Sequence, residues 1–151
     1  MLRNLVIGLP TMLVCLTLQA GFTFWSVRFY MGQTSPMPAR GSGLIAHTQP
    51  LLIAMVILIL GNLLQIVIWG VLFVLLGEFD ELYEAIYHSA VNFSSLGYGD
   101  VVMSQRWKLL GPLEAGNGVL MFAMTSAALM SMLQQLIKSE FSAEEGRHLD
   151  V

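Results

Sequence analysis

Charge is scarce in this chain. Asp, Glu, Lys and Arg make up 11% of its 151 residues, against about 25% in an ordinary soluble domain. With 56% hydrophobic residues, it cannot belong to the disordered class, which is poor in apolar side chains. The net charge of −3 supplies no basic face, so no nucleic-acid partner is expected. Cysteine is nearly absent as well. The lone Cys15 excludes a disulfide within the chain and a Cys-based zinc site. His47, His88 and His148 are too scattered for a local metal motif. No nucleophile–base pair stands out, so an enzyme is the weakest reading and no organic cofactor is expected.

What remains is apolar and arrives in runs of definite length. Charge-free stretches of 24, 37 and 23 residues separate Arg3 from Arg28, Arg40 from Glu78, and Glu114 from Lys138. About 20 apolar residues cross a bilayer as a helix, so each stretch accommodates one crossing. Helices are placed at roughly 4–28, 50–76 and 111–137, in a chain divided into an N-terminal helical segment (1–30), a linker (31–49), a segment of paired helices (50–137) and a short polar tail (138–151). The linker is rich in Gly, Ser, Thr and Pro, which disfavour regular structure. The first run, headed by Arg3, is also compatible with a signal peptide. Its length and its passage into Phe22, Phe24, Trp25, Phe29 and Tyr30 favour a retained membrane helix with an interfacial aromatic belt.

Residues 78–110 do not fit a simple three-helix chain. Acids come first: Glu78, Asp80, Glu81 and Glu84. Leu82, Ile86, Ala90 and Phe93 then recur at helical spacing, predicting a helix over 82–93 that is too short to span. Ser94-Ser95-Leu96-Gly97-Tyr98-Gly99-Asp100 follows. Irregular backbone at membrane depth must be buried in protein or line a water-filled path. Glycine tolerates positive φ, and backbone alternating between left- and right-handed regions turns successive carbonyls to one side. A column of carbonyl oxygens can replace the hydration shell of a monovalent cation.

At these residues the sequence resembles the potassium channel pore family, whose filter signature Thr-Val-Gly-Tyr-Gly, commonly followed by Asp, stands here as Ser95-Leu96-Gly97-Tyr98-Gly99-Asp100. The resemblance covers roughly 50–137. It implies an all-α membrane fold of three transmembrane helices with a re-entrant pore helix (82–93) and a filter (95–99), assembled as a homotetramer around one pore. K+ would be held by carbonyls of Ser95, Leu96, Gly97 and Tyr98. Two substitutions depart from the pattern: Leu96 for Val or Ile, and Ser95 for Thr. Both keep the backbone carbonyl and alter packing behind it. On hydroxyl chemistry alone, Ser95→Thr is expected to be mild. The extra first helix is a further departure, and it carries no regular arginine series.

Further roles follow from the alignment. Tyr87 or His88 is expected to brace Tyr98 or Asp100, the alternative for His88 being a plain interfacial side chain. Glu114, early in the third long helix, either complements the helix dipole or reaches with Asn117 behind the filter, with Asn62 and Gln65 as possible partners. Gly118 falls near the family's gating-hinge glycine and is either a hinge or a packing residue. Phe122 helps fix that alignment, and Val119, Ser126 and Met130 would face the cavity. Gly111, Ala115, Ala123, Ala127 and Ser131 form a small-residue series for close packing. Cys15 reads as an inert thiol.

Basic residues divide too evenly between the two sides to orient the chain. The resemblance puts the filter and the amino terminus outside and the carboxyl terminus in the cytoplasm. The small, charge-poor inventory, with no motifs of a mitochondrial or secretory kind, suits a bacterial inner membrane. The segment from Glu78 to Lys108 would then place a net −3 per chain at the outer mouth, concentrating cations there. The expected function is passive, potassium-selective conduction. Its rivals are a weakly selective monovalent cation channel and a non-conducting membrane interaction protein that retains a pore module.

Overall fold

The computed structural model describes the backbone of residues 1–33 and 44–149 and the side chains of 1–33 and 48–138. Four helices and no strand occur among the described residues: α1 (Leu2–Gln33), α2 (Leu44–Leu75), α3 (Leu82–Phe93) and α4 (Leu110–Leu149). Three stretches are long and apolar enough to cross a membrane: Leu2–Gln33, Thr48–Leu75 and Leu110–Lys138. The chain is a multi-pass membrane protein. α1 packs on α2 and α4, and α3 is wedged between α2 and α4 at one end of the bundle.

α1 is built inside out relative to a helix of a soluble protein. Its buried residues are Asn4, Gly8, Cys15, Gln19, Ser26 and Tyr30, at alternating intervals of four and seven. That is a seam with an eleven-residue repeat, close to three whole turns, yet it contains no aliphatic side chain. Leu2, Val6, Leu13, Val14, Phe24 and Trp25 point outward. Lipid is as apolar as leucine, so association rests on close packing of small residues and on polar bonds. The seam supplies both. Asn4 Nδ2 donates to the Arg106 carbonyl at 3.0 Å, and Ser26 Oγ donates to the Ala54 carbonyl at 3.0 Å. The aromatic belt is accordingly split. Phe24 and Trp25 face outward, while Tyr30 is buried with Ala54, Leu58, Ala128 and Met132. Its ring is spent on packing because it falls on the seam.

The second apolar core lies at the other end, around Cys15, Trp69, Phe73, Phe79, Ala85, Trp107 and Leu110. It joins α1, α2, α3 and the start of α4, and fixes where α3 sits.

Three helix ends differ from expectation. The linker at 31–49 is shorter than predicted, because α1 runs to Gln33 and α2 begins at Leu44; residues 34–43 lie outside the described residues. Pro50 sits inside α2 instead of opening it. Its fixed φ is compatible with a helix, and the cost is the loss of one backbone N–H donor. The tail is no separate segment either, since α4 continues to Leu149. The Ser, Glu, Ala and Arg residues beyond Lys138 include no proline to stop it. At the start of α4, Pro112 occupies the first turn, where backbone N–H groups have no intrahelical acceptor to lose.

Candidate functional site

α3 occupies the residues that its spacing predicts. Glu81 precedes it in an extended conformation, and Glu84 lies in its first turn, where a carboxylate complements the positive end of the helix. The inward face comprises Ala85, His88, Ser89, Val91 and Phe93.

Its carboxyl end closes in a Schellman motif. Ser95 N–H donates to the Asn92 carbonyl at 2.8 Å, and Leu96 N–H to the Val91 carbonyl at 3.0 Å. This pairing requires a left-handed residue just past the cap, and Ser95 fills that place with φ of 59°. The segment then continues with positive φ at alternate residues: 59° at Gly97 and 75° at Gly99, while Leu96 and Tyr98 stay out of that region. No strand forms. The irregular backbone runs on from the helix cap, and residues 94–100 are all exposed. Tyr98 is 68% exposed, and its hydroxyl has no hydrogen-bond partner among the described residues.

The cap changes the reading of Ser95. A β-branched side chain at positive φ is an outlier, so Thr at this position is strained where hydroxyl chemistry alone predicts a mild change.

The return of the segment is pinned. Tyr87 donates its hydroxyl to Asp100 Oδ2 at 2.7 Å, and Val101 N–H donates to Asp100 Oδ1 at 3.0 Å. The phenol's hydrogen bond holds the Asp100 carboxyl below its ordinary range and pushes the Tyr87 phenol up. His88 touches neither Tyr98 nor Asp100. Its Nδ1 is 3.1 Å from the Val101 carbonyl and its Nε2 is 2.9 Å from Asn92 Nδ2. The neutral tautomer with hydrogen on Nδ1 satisfies both, donating to Val101 and accepting from Asn92. The ring lies on the inward face of α3 against Phe73 and Phe79, and Tyr87, one residue earlier, points the other way. Helix geometry thus divides the two bracing candidates. Burial lowers the His88 pKa below its ordinary 6.5. Beyond Asp100, Glu78 accepts the Ser104 N–H at 2.7 Å and the Ser104 hydroxyl at 2.6 Å.

Behind the segment, Glu114 is fully buried. It forms a short hydrogen bond with the Ser89 hydroxyl, which also lies 2.8 Å from the Ile66 carbonyl. Glu114 therefore ties α4 to α3 and, through Ser89, to α2. Gly118 is where α4 comes closest to α3. A Cβ there would overlap the Phe93 carbonyl oxygen and lie 2.7 Å from its carbon. Only glycine lets α4 pass the end of α3 at this distance, so packing alone accounts for it. Phe122, one turn on, meets the Phe93 ring edge to face at 5.5 Å.

A ladder of buried amides extends from here to α1. Asn117 Nδ2 lies 3.4 Å from Gln65 Oε1. Gln65 donates to Gln19 Oε1 at 2.8 Å, and Gln19 donates to the Thr125 hydroxyl at 3.0 Å. Asn62 reaches the same hydroxyl at 3.2 Å. Asn62 and Gln65 thus face protein as their polarity predicts, with Gln65 meeting Asn117 and neither bonding Glu114. Gln19, Ser89 and Thr125 were not singled out from sequence. The seam spacing would have found Gln19: it is a polar residue in a charge-free run, four residues after Cys15.

The remaining candidates lie along the open side of α4, with Phe122 at its edge beside Phe93. Val119, Phe122, Ser126 and Met130 are exposed in the single chain, as are Ala123, Ala127 and Ser131. Gly111 leaves the small-residue series to pack against Asn92. No group of three or more His, Cys, Asp or Glu that could hold a metal occurs among the described residues.

No curated protein and no solved structure matches the chain. Residues 61–135, from the middle of α2 through α3 and the exposed segment to the apolar part of α4, match the model of the family described as "Ion channel".

Proposed function

We propose that the chain is the subunit of a homotetrameric potassium channel. In this reading Ser95, Leu96, Gly97 and Tyr98 present carbonyl oxygens to K+ on a central axis. The observation that carries the proposal is the alternation of positive φ at Ser95, Gly97 and Gly99 in an exposed Ser-Leu-Gly-Tyr-Gly-Asp segment. Conduction then requires no group beyond this chain's backbone: the alternating carbonyls replace water around the ion.

Assembly follows from what one chain leaves open. Each subunit supplies one such segment, and a neighbouring subunit would offer the partner that the Tyr98 hydroxyl lacks. The exposed face of α4 would be divided between the cavity, lined by Phe122, Ser126 and Met130, and subunit contacts through Ala123 and Ala127. Tyr87 and His88 hold the outer return of the filter, and Glu114 its rear. The filter end of the bundle faces outside, with the amino terminus. Labelling of Leu2→Cys and Gly146→Cys by an impermeant reagent from opposite sides tests that orientation.

The purified chain in liposomes under a potassium/sodium gradient tests the function. The wild type should reverse near the potassium potential. Gly97→Ala should lose the preference, because left-handed backbone costs an L-residue about 1–2 kcal/mol at each of the four positions around the ring. Conduction without potassium preference in the wild type favours the weakly selective channel. Full preference in Gly97→Ala overturns the carbonyl column.

A further inference from the structure

On the outer flank of the bundle, α1 and α2 enclose a groove of about 440 Å³, lined by Pro10, Thr11, Val14, Val67, Val71 and Leu75 among others. We propose that this groove seats one acyl chain of an anionic glycerophospholipid whose phosphate is taken by Arg3 and Arg106. The assignment rests on the chain's membrane embedding and is independent of ion permeation.

The groove offers nothing to water. The hydroxyl of Thr11 donates to the Ile7 carbonyl at 2.8 Å, and the other residues named are apolar. Its occupant within a bilayer is therefore hydrocarbon along the whole length.

The headgroup preference comes from the end of the groove nearest residues 100–107. Seven residues separate Arg3 from Pro10 and eleven separate it from Val14, nearly whole numbers of turns. Arg3 thus rides the same stripe of α1 as the groove lining. It lies about 10 Å further along the axis, the direction in which a phosphate follows an acyl chain. Its guanidinium carbon stands 4.6 Å from the Trp107 ring centroid, and that of Arg106 stands 5.2 Å from the same centroid. Trp107 is buried and forms a fixed platform. Asn4 holds the Arg106 carbonyl, so the two cations are tied to one another through α1.

Both arginines are exposed, and neither has an ion-pair partner among the described residues. Stacking on a ring leaves the N–H edges of a guanidinium free, and those edges match phosphate oxygens. The nearby acid, Glu78, is occupied at both oxygens by Ser104. Two like charges on one tryptophan repel, and an anionic group bound at this end of the groove relieves that. A zwitterionic headgroup brings its own cation to the same place and does so less well.

The test is native mass spectrometry of the full chain in detergent, titrated with dioleoylphosphatidylglycerol or dioleoylphosphatidylcholine. The wild type should retain the anionic lipid about tenfold more tightly. Arg3→Gln with Arg106→Gln should bring that ratio close to one. Val14→Phe, which projects into the groove, should weaken both lipids, with helicity by circular dichroism confirming the fold. Arg3→Lys with Arg106→Lys should keep most of the preference and serves as the control should the glutamine pair fail to fold. Equal retention of the two lipids by wild type overturns the proposal. So does a ratio that the glutamine pair leaves unchanged, or displacement of the lipid by inorganic phosphate alone.

Discussion

Two polar regions of this chain are treated in opposite ways. The amide ladder of Gln19, Gln65, Asn117, Thr125 and Asn62 is buried and bonded within one chain. The segment from Ser94 to Asp100 is exposed throughout, and Tyr98 ends without a partner among the described residues. Lipid explains the first. An unsatisfied polar group there costs several kcal/mol, so these side chains turn to one another, with Asn62 Oδ1 and Asn117 Oδ1 left without a partner among the described residues. Assembly explains the second in the proposed channel. A segment that coordinates an ion on a symmetry axis cannot be finished by one copy. Changes in the ladder should therefore act on an isolated chain and on the assembly alike, whereas changes between the helix cap and Asp100, at Gly97 and Tyr98, should act mainly on the assembly.

The largest effect is expected where the two regions meet. Gly118 follows Asn117 of the ladder and abuts Phe93, the last residue of α3. Gly118→Ala puts a Cβ into backbone, which cannot yield as a flexible side chain does. Overpacking costs about 1–3 kcal/mol and occasionally more. Thermal unfolding in detergent should show the loss, and potassium flux should fall with it. If unfolding is unchanged while gating alone is altered, a hinge rather than a packing contact is the role of this glycine.

Legibility from sequence followed the same division. Apolar run length placed the three spans, because the bilayer fixes length more strictly than a soluble core does. α3 was legible from Leu82, Ile86, Ala90 and Phe93. The seam of α1 was not: its buried face is polar and small, and the usual amphipathic pattern looks for the reverse. The helix ends at Leu44 and Leu149 were missed because Pro50 and a charged tail are weak stop signals. At the candidate site, the motif identified the residues but not the backbone. Ser95 was read for its hydroxyl, and its left-handed cap became visible only with the Asn92 and Val91 carbonyls in place. The sequence offers Tyr87 or His88 as the brace of Tyr98 or Asp100, and one residue of helical rotation gives Asp100 to Tyr87 and not to His88.

Ser95 offers the next largest effect. Ser95→Thr places a β-branched residue at φ of 59°, adding to the left-handed cost of about 1–2 kcal/mol that any Cβ already carries there. Ser95→Gly removes the steric cost and the hydroxyl together. Thr should shorten the lifetime of the conducting state relative to wild type. Because the cap is closed within one chain, Thr should lower and Gly should raise the stability of the isolated chain slightly, with the ladder left intact. A Thr variant that conducts like wild type would mean that the assembled segment abandons the left-handed cap.

Gln19→Leu should have a smaller effect, spread over the whole fold. It removes the donor to Thr125 and the acceptor of Gln65. Gln65 retains the Gly61 carbonyl at 3.3 Å, and Thr125 retains Asn62. Interhelical hydrogen bonds in membranes are worth about 0.6–2 kcal/mol. Unfolding of isolated and assembled chains should shift by the same amount. Combined with Thr125→Val, the loss should be less than additive, since the two substitutions share one bond. A shift confined to the assembly would place α1 between subunits rather than on its own chain.

The smallest effects lie in pH, where the titrations of His88 on α3 and of Asp100 beyond it separate. His88 has its pKa lowered by burial, so the fold favours the neutral ring. Its contribution is present above the ordinary 6.5 and is lost as pH falls below that value. The second proton falls on Nε2, where Asn92 now donates, so that bond breaks unless the amide turns over. Asp100 behaves as a carboxylate whose charged form is favoured by Tyr87. Its contribution is present above the ordinary 3.8 and is lost only as pH falls through the lowered folded value. Acidification should therefore break the contact between His88 and Asn92 first, with the Nδ1–H bond to the Val101 carbonyl kept, and loosen the Asp100 side of the return later. The Asn92 side-chain amide resonance should report the first step and hydrogen exchange at Val101 the second. Tyr87→Phe should erase the second step and leave the first, and His88→Gln should do the reverse. A single step that both substitutions move would mean that the two braces titrate as one unit.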